Sequence, residues 1–183
     1  MTFNPDIHHR HSTRLKNYDY SSNGMYFVTI CTQDRAMLFG EVVGADLVSA
    51  QVCLSDAGKM IESLYQQITE SFPDVTSGKY IVMPNHIHCI LKILNAGADR
   101  ADTRSAPTAT NAISSILQTF KSKTTVEYIR GVKFGQYPPF NKRIWQRNYY
   151  DHIIRDETDL QRIWKYIDEN PAKWAEDEYY SPT

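Results

Sequence analysis

The order of apolar and polar positions predicts several strands along the chain. Met25 to Thr32 is rich in β-branched and aromatic residues and follows an Asn-Gly turn pair, which is typical of a strand. Gly40 to Cys53 predicts a short hairpin or an irregular excursion. Lys79 to Met83 and His86 to Leu94 predict two more strands, or one long strand kinked at a Pro-Asn pair. Trp145 to Ile154 returns to a strand-like composition.

Three other segments repeat apolar residues at helical spacing. The first follows Ser55, a good N-cap, and is ended by Pro73. The second runs from about residue 113 to 129, and the third spans 156–170 because the following proline disfavours helical geometry at the residue before it. The predicted apolar stripes are Ala57, Met60, Ile61, Leu64, Tyr65 and Ile68; Ile113, Ile116, Leu117 and Phe120; and Leu160, Ile163, Trp164 and Ile167.

Strand, helix, two strands, helix and strand is the order of a split βαβ unit. We therefore predict an α+β fold with a ferredoxin-like antiparallel sheet, helices packed on one face, and one additional C-terminal helix. The opposite face or its rim would stay open for a ligand. Residues 1–20 form a polar, basic arm, and residues 95–111 lack periodicity and predict a mobile loop.

Composition bounds the class of protein. A chain of 183 residues with 42% hydrophobic content predicts a single globular domain over 1–183. The sequence carries no stretch typical of a membrane span or a secretory signal, and three cysteines at unpatterned spacing give no disulfide framework. We therefore expect a cytoplasmic protein without a membrane partner.

Charge is unevenly distributed although the net charge is only -1. Basic residues predominate between residues 111 and 155, where they alternate with aromatic ones, and a mixture of this kind can hold phosphates while unpaired bases stack. An ordinary solvated surface is the alternative. The residues predicted to bind DNA are Arg14, Lys121, Lys123, Lys142, Arg143, Arg147, His152 and Arg155. For His152 a hydrogen-bonded structural role is favoured over a DNA contact.

Two histidines lie two positions apart in a predicted strand. Side chains at i and i+2 share one face, so His86 and His88 can converge on one cation while Ile87 points into the core with Cys89 and Leu91. A hydrogen-bonded structural pair is the alternative. The pair predicts a metal site suited to phosphate chemistry.

The last predicted helix supplies a nucleophile and a third ligand. Tyr166 and Asn170 are one turn apart, on one flank of the apolar stripe. A phenol with a pKa near ~10 needs activation before it attacks at neutral pH, and an amide oxygen is a plausible hard ligand. Packing for Tyr166 and helix termination for Asn170 are the structural alternatives.

Together these features resemble the REP-associated tyrosine transposases, which are single-tyrosine members of the HUH endonuclease superfamily. Four segments carry the resemblance, and they follow one another in the family's order over most of the chain. They are Gly24-Met-Tyr-Phe-Val-Thr-Ile-Cys-Thr32, Met83-Pro-Asn-His-Ile-His88, Trp145-Gln-Arg-Asn-Tyr-Tyr-Asp-His-Ile-Ile-Arg155 and Tyr166-Ile-Asp-Glu-Asn-Pro-Ala-Lys173.

The resemblance implies a catalytic domain that binds single-stranded or hairpin DNA and cuts it without ATP. His86 and His88 would be metal ligands, Asn170 the third ligand, and magnesium or manganese the ion. Tyr166 would attack a phosphate to give a 5′-phosphotyrosine link and a free 3′-hydroxyl, and the step would reverse to rejoin strands. Tyr149 and Tyr150 are the rival nucleophiles. Some relatives are dimers that exchange the tyrosine helix and others are monomers, so a homodimer is possible.

Three other functions remain open from sequence. A replication initiator or relaxase of the same superfamily would use the same chemistry, usually in a longer chain. A histidine-triad nucleotide hydrolase would need a third histidine where Ile90 stands, which counts against it. A non-catalytic RRM-like protein would stack bases on sheet aromatics, with incidental histidines.

Overall fold

The computed structural model describes residues 23–44, 49–94 and 112–180. The predicted arm, the predicted loop over 95–111 and Arg14 lie outside these ranges. In the described part the elements, in chain order, are β1 (Gly24–Cys31), β2 (Gly40–Val43), β3 (Gln51–Leu54), α1 (Asp56–Gln66), β4 (Val75–Met83), β5 (His86–Ile93), α2 (Ala112–Lys133), β6 (Tyr150–Ile154) and α3 (Glu157–Glu169).

A four-stranded antiparallel sheet with the order β4-β5-β1-β6 forms the centre of the fold, and β2 and β3 make a separate hairpin. Within this sheet, the segment that contains α1 connects β1 to β4 across β5, and α2 connects β5 to β6 across β1. The predicted α+β class with an antiparallel sheet is confirmed. None of the described helices has the length and apolar character that crossing a membrane would require.

Alternation along the central strands divides the core into two layers. On one face Tyr26, Val28 and Ile30 of β1 are fully buried in a large apolar cluster that includes α1 and α2. On the other face a smaller cluster joins Phe27, Ile90 and Ile154 to Ile163 and Ile167 of α3. Because side chains two apart share a face, the second face also carries the side chains of residues 29, 86 and 88. The helix α3 therefore lies beside the predicted site.

Both ends of α3 agree with the sequence. The Asp156 side chain caps the helix by accepting the Asp159 backbone N–H at 2.8 Å, and Asn170 is the C-cap. Ile163 and Ile167 are buried as predicted, but Trp164 is 43% exposed, so its assignment to the buried stripe was wrong. Its ring instead lies 5.1 Å from the Lys79 ammonium, a cation–π contact at the edge of the sheet.

Other element boundaries differ from the predictions. The helix α1 ends at Gln66, well before Pro73, and a 3-10 turn over Ile68–Ser71 follows it. The helix α2 continues to Lys133. Gly131 lies within this helix and does not end it. The glycine leaves room for the ring of Tyr137, because a Cβ atom at position 131 would lie 2.2 Å from that ring.

The predicted strand over 145–154 is regular only from Tyr150 onward. Trp145 makes an isolated bridge with Thr32, and its indole is buried in the large apolar cluster beside the rings of Phe39 and Phe120. The indole N–H donates to the Thr124 hydroxyl at 2.9 Å, so the polar atom of this buried ring is satisfied. Composition alone did not distinguish this anchored loop from a strand.

Candidate metal and nucleophile site

The two histidines begin β5 and face the same side of the sheet. His86 and His88 are both 0% exposed, and their Nε2 atoms lie 2.9 Å apart. Ile87 between them is buried in the opposite layer, as predicted. The strand therefore brings two imidazole nitrogens to one point inside the protein.

Hydrogen bonds at the far side of each ring orient the pair. Asn85 Nδ2 donates to the backbone oxygens of Arg35 at 3.2 Å and Tyr179 at 2.9 Å, which identifies the other amide atom as oxygen. That oxygen lies 2.9 Å from His86 Nδ1, so Nδ1 carries the proton and Nε2 keeps its lone pair. His88 Nδ1 lies 2.8 Å from the Thr29 hydroxyl.

The pair fits a divalent ion. Ligands at ~2.1 Å from an octahedral ion and at right angles to each other are about 3.0 Å apart, close to the spacing of the two Nε2 atoms. Burial lowers the pKa of His88 to about 3, and burial followed by the neighbouring imidazole lowers the pKa of His86. Both rings are therefore neutral at pH 7, which is the form that binds metals.

Asp177 is the acidic group of this site, and the sequence did not reveal it. One ligand atom each from His86, His88 and Asp177 lie within 4.8 Å of one another. Asp177 follows α3 in an irregular segment, where periodicity gives no prediction. The acidic run from Glu176 to Glu178 was the available signal, since carboxylates are hard oxygen ligands.

Asn170 lies at the edge of the same group. Its side-chain Nδ2 donates to Asp177 Oδ2 at 2.6 Å. Its Oδ1 is buried and has no hydrogen-bond partner among the described residues. Buried amide oxygens are rarely left unpaired, so this atom is a free oxygen donor for an ion.

Tyr166 directs its hydroxyl at the histidine pair. The Oη atom lies 3.3 Å from His88 Nε2 and 3.4 Å from Asp177 Oδ2, and the ring is held edge-on against Phe27 at 5.9 Å between centroids. Burial, then the carboxylates of Asp177 and Glu178, raise the pKa of this phenol above its ordinary value of 10. The phenol is therefore protonated at neutral pH, within reach of a carboxylate that can accept its proton.

Residues 174–180 cover one side of the histidine pair. The ring of Tyr179 lies 4.8 Å from that of His86 and 5.8 Å from that of His88, and Trp174 lies 5.7 Å from His86. The Glu178 backbone oxygen accepts from the Arg35 guanidinium. These contacts explain the complete burial of two polar rings at a strand end.

The rival tyrosines lie elsewhere. The Tyr149 hydroxyl is 3.0 Å from Ser114 Oγ of α2, and its ring packs against the large cluster on the other face. Tyr150 is on the α3 side, 46% exposed, with its ring 6.5 Å from Phe27. Of the three tyrosines, Tyr166 makes the hydrogen-bond contact with the histidine pair.

The predicted DNA-binding residues differ in their freedom to bind phosphate. Lys121 donates to backbone oxygens of the loop over 146–148 at 2.8 to 3.4 Å, and burial lowers its pKa to about 8. His152 lies 2.7 Å from Asp159 Oδ2. The remaining ones are at least partly exposed: Lys123, Lys142, Arg143, Arg147 and Arg155.

Comparison with known proteins adds to this geometry. No family model matches the chain. An uncharacterized protein of Haemophilus influenzae is 36% identical over 183 residues, covering 97% of this chain and 97% of that protein. A second Haemophilus influenzae protein, named provisionally as a REP-associated tyrosine transposase, is 28% identical over 161 residues, covering 87% of this chain and 77% of that protein.

The fold comparison agrees with the second relative. A solved REP-associated tyrosine transposase bound to a REP hairpin superposes with a TM-score of 0.54 at 20% identity, covering 88% of this chain and 73% of that chain. At this identity the likeness establishes the fold. Over most of its length the chain is therefore similar to a protein provisionally named a REP-associated tyrosine transposase, and it shares the fold of a solved protein of that name.

Proposed function

We propose that this protein is a metal-dependent endonuclease and strand transferase for single-stranded DNA, acting through a 5′-phosphotyrosine intermediate. The observation that carries the proposal is the 3.3 Å distance between Tyr166 Oη and His88 Nε2. The solved relative is bound to a REP hairpin, and on that basis we propose hairpin or palindromic repeat DNA as the substrate.

Magnesium or manganese would be held by His86, His88 and Asn170 Oδ1, with Asp177 as a further oxygen ligand, and would supply Lewis-acid polarisation of a DNA phosphate. The chain's own contribution is orientation. Asn85 holds His86 with its Nε2 lone pair available, and the Thr29 hydroxyl can hold His88 in the same way by accepting from Nδ1–H.

Tyr166 Oη attacks the phosphorus, and the bond from phosphorus to the 3′-oxygen breaks. The phenol proton passes to the Asp177 carboxylate, whose Oδ2 is 3.4 Å away, and the departing 3′-oxygen takes up a proton to become a hydroxyl. One phosphodiester replaces another, so no ATP is consumed. Attack by a 3′-hydroxyl on the phosphotyrosine reverses the step and joins strands.

The exposed basic residues would contact the DNA backbone. We propose Lys123, Lys142, Arg143, Arg147 and Arg155 as phosphate contacts, and we add His152 and also Arg14, which lies outside the described residues. Lys121 would act indirectly, because its ammonium is engaged with the 146–148 loop that leads into β6. Phosphate contacts of this kind raise affinity without sequence preference.

The test uses a labelled hairpin with single-stranded flanks, together with Mn²⁺ or Mg²⁺. The wild-type protein should give a covalent adduct that survives denaturation, and Tyr166→Phe should abolish it. Tyr149→Phe is the matched control, since its hydroxyl faces Ser114, and it should form the adduct at the wild-type rate. An undiminished adduct in Tyr166→Phe would remove the proposed nucleophile.

The metal ligands are tested in the same assay. His86→Ala and His88→Ala should lose both Mn²⁺ binding and cleavage. If both variants bind DNA and Mn²⁺ normally but no adduct forms in any protein, a non-catalytic nucleic-acid binder is the better description. That reading has less support, because α3 and residues 174–180 cover much of the sheet face on which bases would stack.

A further inference from the structure

A second feature lies on the far side of Tyr166 from the acidic group around Asn170. A cleft of about 290 Å³ opens between β1, β6 and α3, and Tyr166 forms one wall of it. The volume is at the lower end of the range for small-ligand sites, which is enough for one planar group and too small for a base pair. The cleft is continuous with the Tyr166 hydroxyl region but contains neither histidine.

Aromatic rings line the inner part of the cleft. Phe27 forms its base, and Tyr150 stands beside it with 46% of its surface exposed. A large ring exposed on a strand, next to other rings, is the arrangement on which unpaired bases stack. The Tyr150 hydroxyl makes no hydrogen bond to a described residue that would account for this position.

A guanidinium and an imidazole line another wall. Asp159 accepts from His152 Nε2 through Oδ2 at 2.7 Å and from Arg162 through Oδ1 at 2.5 Å. One carboxylate thus positions an imidazole and a guanidinium along the cleft, and the guanidinium keeps further N–H donors. Glu178 lies on the rim, so a bound DNA backbone is expected along the Arg162 side.

We infer that this cleft binds one unpaired nucleotide of the substrate strand, adjacent to the phosphate that Tyr166 attacks. Its base stacks on Tyr150, and the adjoining phosphate accepts from the Arg162 guanidinium. The inference rests on the proposed function and extends it, because it assigns a base-binding subsite outside the metal site. It also gives Tyr150 a role that needs the ring and not the hydroxyl.

The test pairs changes in the protein with changes in the DNA. Hairpins with a single abasic position, moved stepwise along the flanking strand, are bound to Tyr166→Phe protein and followed by fluorescence anisotropy. One position next to the cleavage point should weaken binding by roughly 5- to 100-fold. Adding Tyr150→Ala or Tyr150→Leu should weaken binding of the intact hairpin by a similar factor and remove the abasic effect.

Two controls separate stacking from general damage. Trp164→Ala removes an equally exposed aromatic from α3 outside the cleft, and it should leave the abasic effect intact. Tyr150→Phe keeps the ring and should retain the abasic effect that Tyr150→Leu removes. Arg162→Ala should weaken binding of every hairpin and reduce the salt dependence by about one phosphate contact.

The outcomes distinguish the subsite from the chemistry. If wild-type protein forms the adduct but no abasic position depends on the Tyr150 ring, the subsite is wrong and the proposed function stands. If one position depends on Tyr150 but no adduct forms, the proposed function fails while the base site remains. Loss of the adduct in Tyr150→Phe would make Tyr150 a nucleophile and overturn the inference.

Discussion

Asn85 shows how much of the site depends on one buried amide. It is 1% exposed, and its three hydrogen bonds join the loop at Arg35, the backbone of Tyr179 and the ring of His86. A change at this position alters the orientation of a metal ligand without touching the ion. A substitution of Asn85 therefore tests the orientation of the ligand His86 while leaving the ligand itself in place.

We expect Asn85→Ala to weaken Mn²⁺ binding by about 10- to 100-fold, because His86 loses the partner that holds its Nδ1 proton. Unpaired backbone oxygens should also cost about 1–3 kcal/mol of the free energy of unfolding. Calorimetric Mn²⁺ titration and urea denaturation measure the two effects. Asn141→Ala, in an exposed loop, is the control. Unchanged Mn²⁺ affinity in Asn85→Ala would contradict this role.

The buried histidines also predict a pH dependence of stability for the metal-free protein. The pKa of His88 falls from 6.5 to about 3 on folding, so the unfolded chain binds the proton more tightly. The stabilisation is fully present above pH 6.5 and is lost as the pH drops toward 3, by on the order of a few kcal/mol. Urea midpoints between pH 7 and pH 4 should fall less steeply in His88→Gln. Equal slopes would show that His88 is not held neutral.

At the scale of single residues, the sequence pattern indicated those residues of the candidate site that lie in helices and strands. His86 and His88 follow strand alternation, and Tyr166 and Asn170 follow the helical turn, so periodicity alone brought each pair onto one face. Asp177 escaped prediction because it lies in an irregular segment, where only tertiary contacts bring its carboxylate to the histidines. Whether these side chains act as proposed remains a prediction.

Among the elements, α3 sets the position of the nucleophile. Ile163 and Ile167 pack on Phe27, Ile90 and Ile154, so one apolar contact holds the helix across the sheet. Lys79 of β4 adds an ion pair with Asp168 and its contact with Trp164. The ion pair is exposed and contributes little, which leaves the apolar contact as the main anchor.

Ile163→Ala should lower the free energy of unfolding by about 2–4 kcal/mol, since it leaves a cavity under α3. Adduct formation should slow as well, because Tyr166 lies one turn further along the same helix. Val126→Ala, at a position 54% exposed, should change stability by less than about 0.5 kcal/mol. If Ile163→Ala lowers the free energy of unfolding by no more than Val126→Ala does, the apolar contact does not anchor α3.

Element prediction succeeded where an apolar stripe met a single sheet face, as in α1 and in the four predicted apolar positions of α2. It failed at Trp145, whose indole is buried in an irregular loop, and at Trp164, whose indole is exposed. A buried hydroxyl satisfies the first ring, and a lysine at the sheet edge covers the second. Neither partner is adjacent in sequence, so local pattern could not separate the two cases.

For the whole molecule, one chain supplies every group of the proposed site. Tyr166 contacts His88 within the same chain, which predicts action in cis. A mixture of Tyr166→Phe with His88→Ala protein should therefore stay inactive in the hairpin adduct assay. Recovery of activity on mixing would show that a partner's tyrosine completes the site, as in a helix-exchanged dimer.

The central claim is that Tyr166 becomes linked to a DNA 5′-phosphate at the His86 and His88 pair. Peptide-mapping mass spectrometry of the adduct formed with hairpin DNA and Mn²⁺ tests it directly. We expect a nucleotide 5′-phosphate on the peptide that contains Tyr166, and no such modification in His88→Ala protein. Modification of Tyr149 or Tyr150 in its place, or an adduct that forms equally well in His88→Ala, would contradict the account.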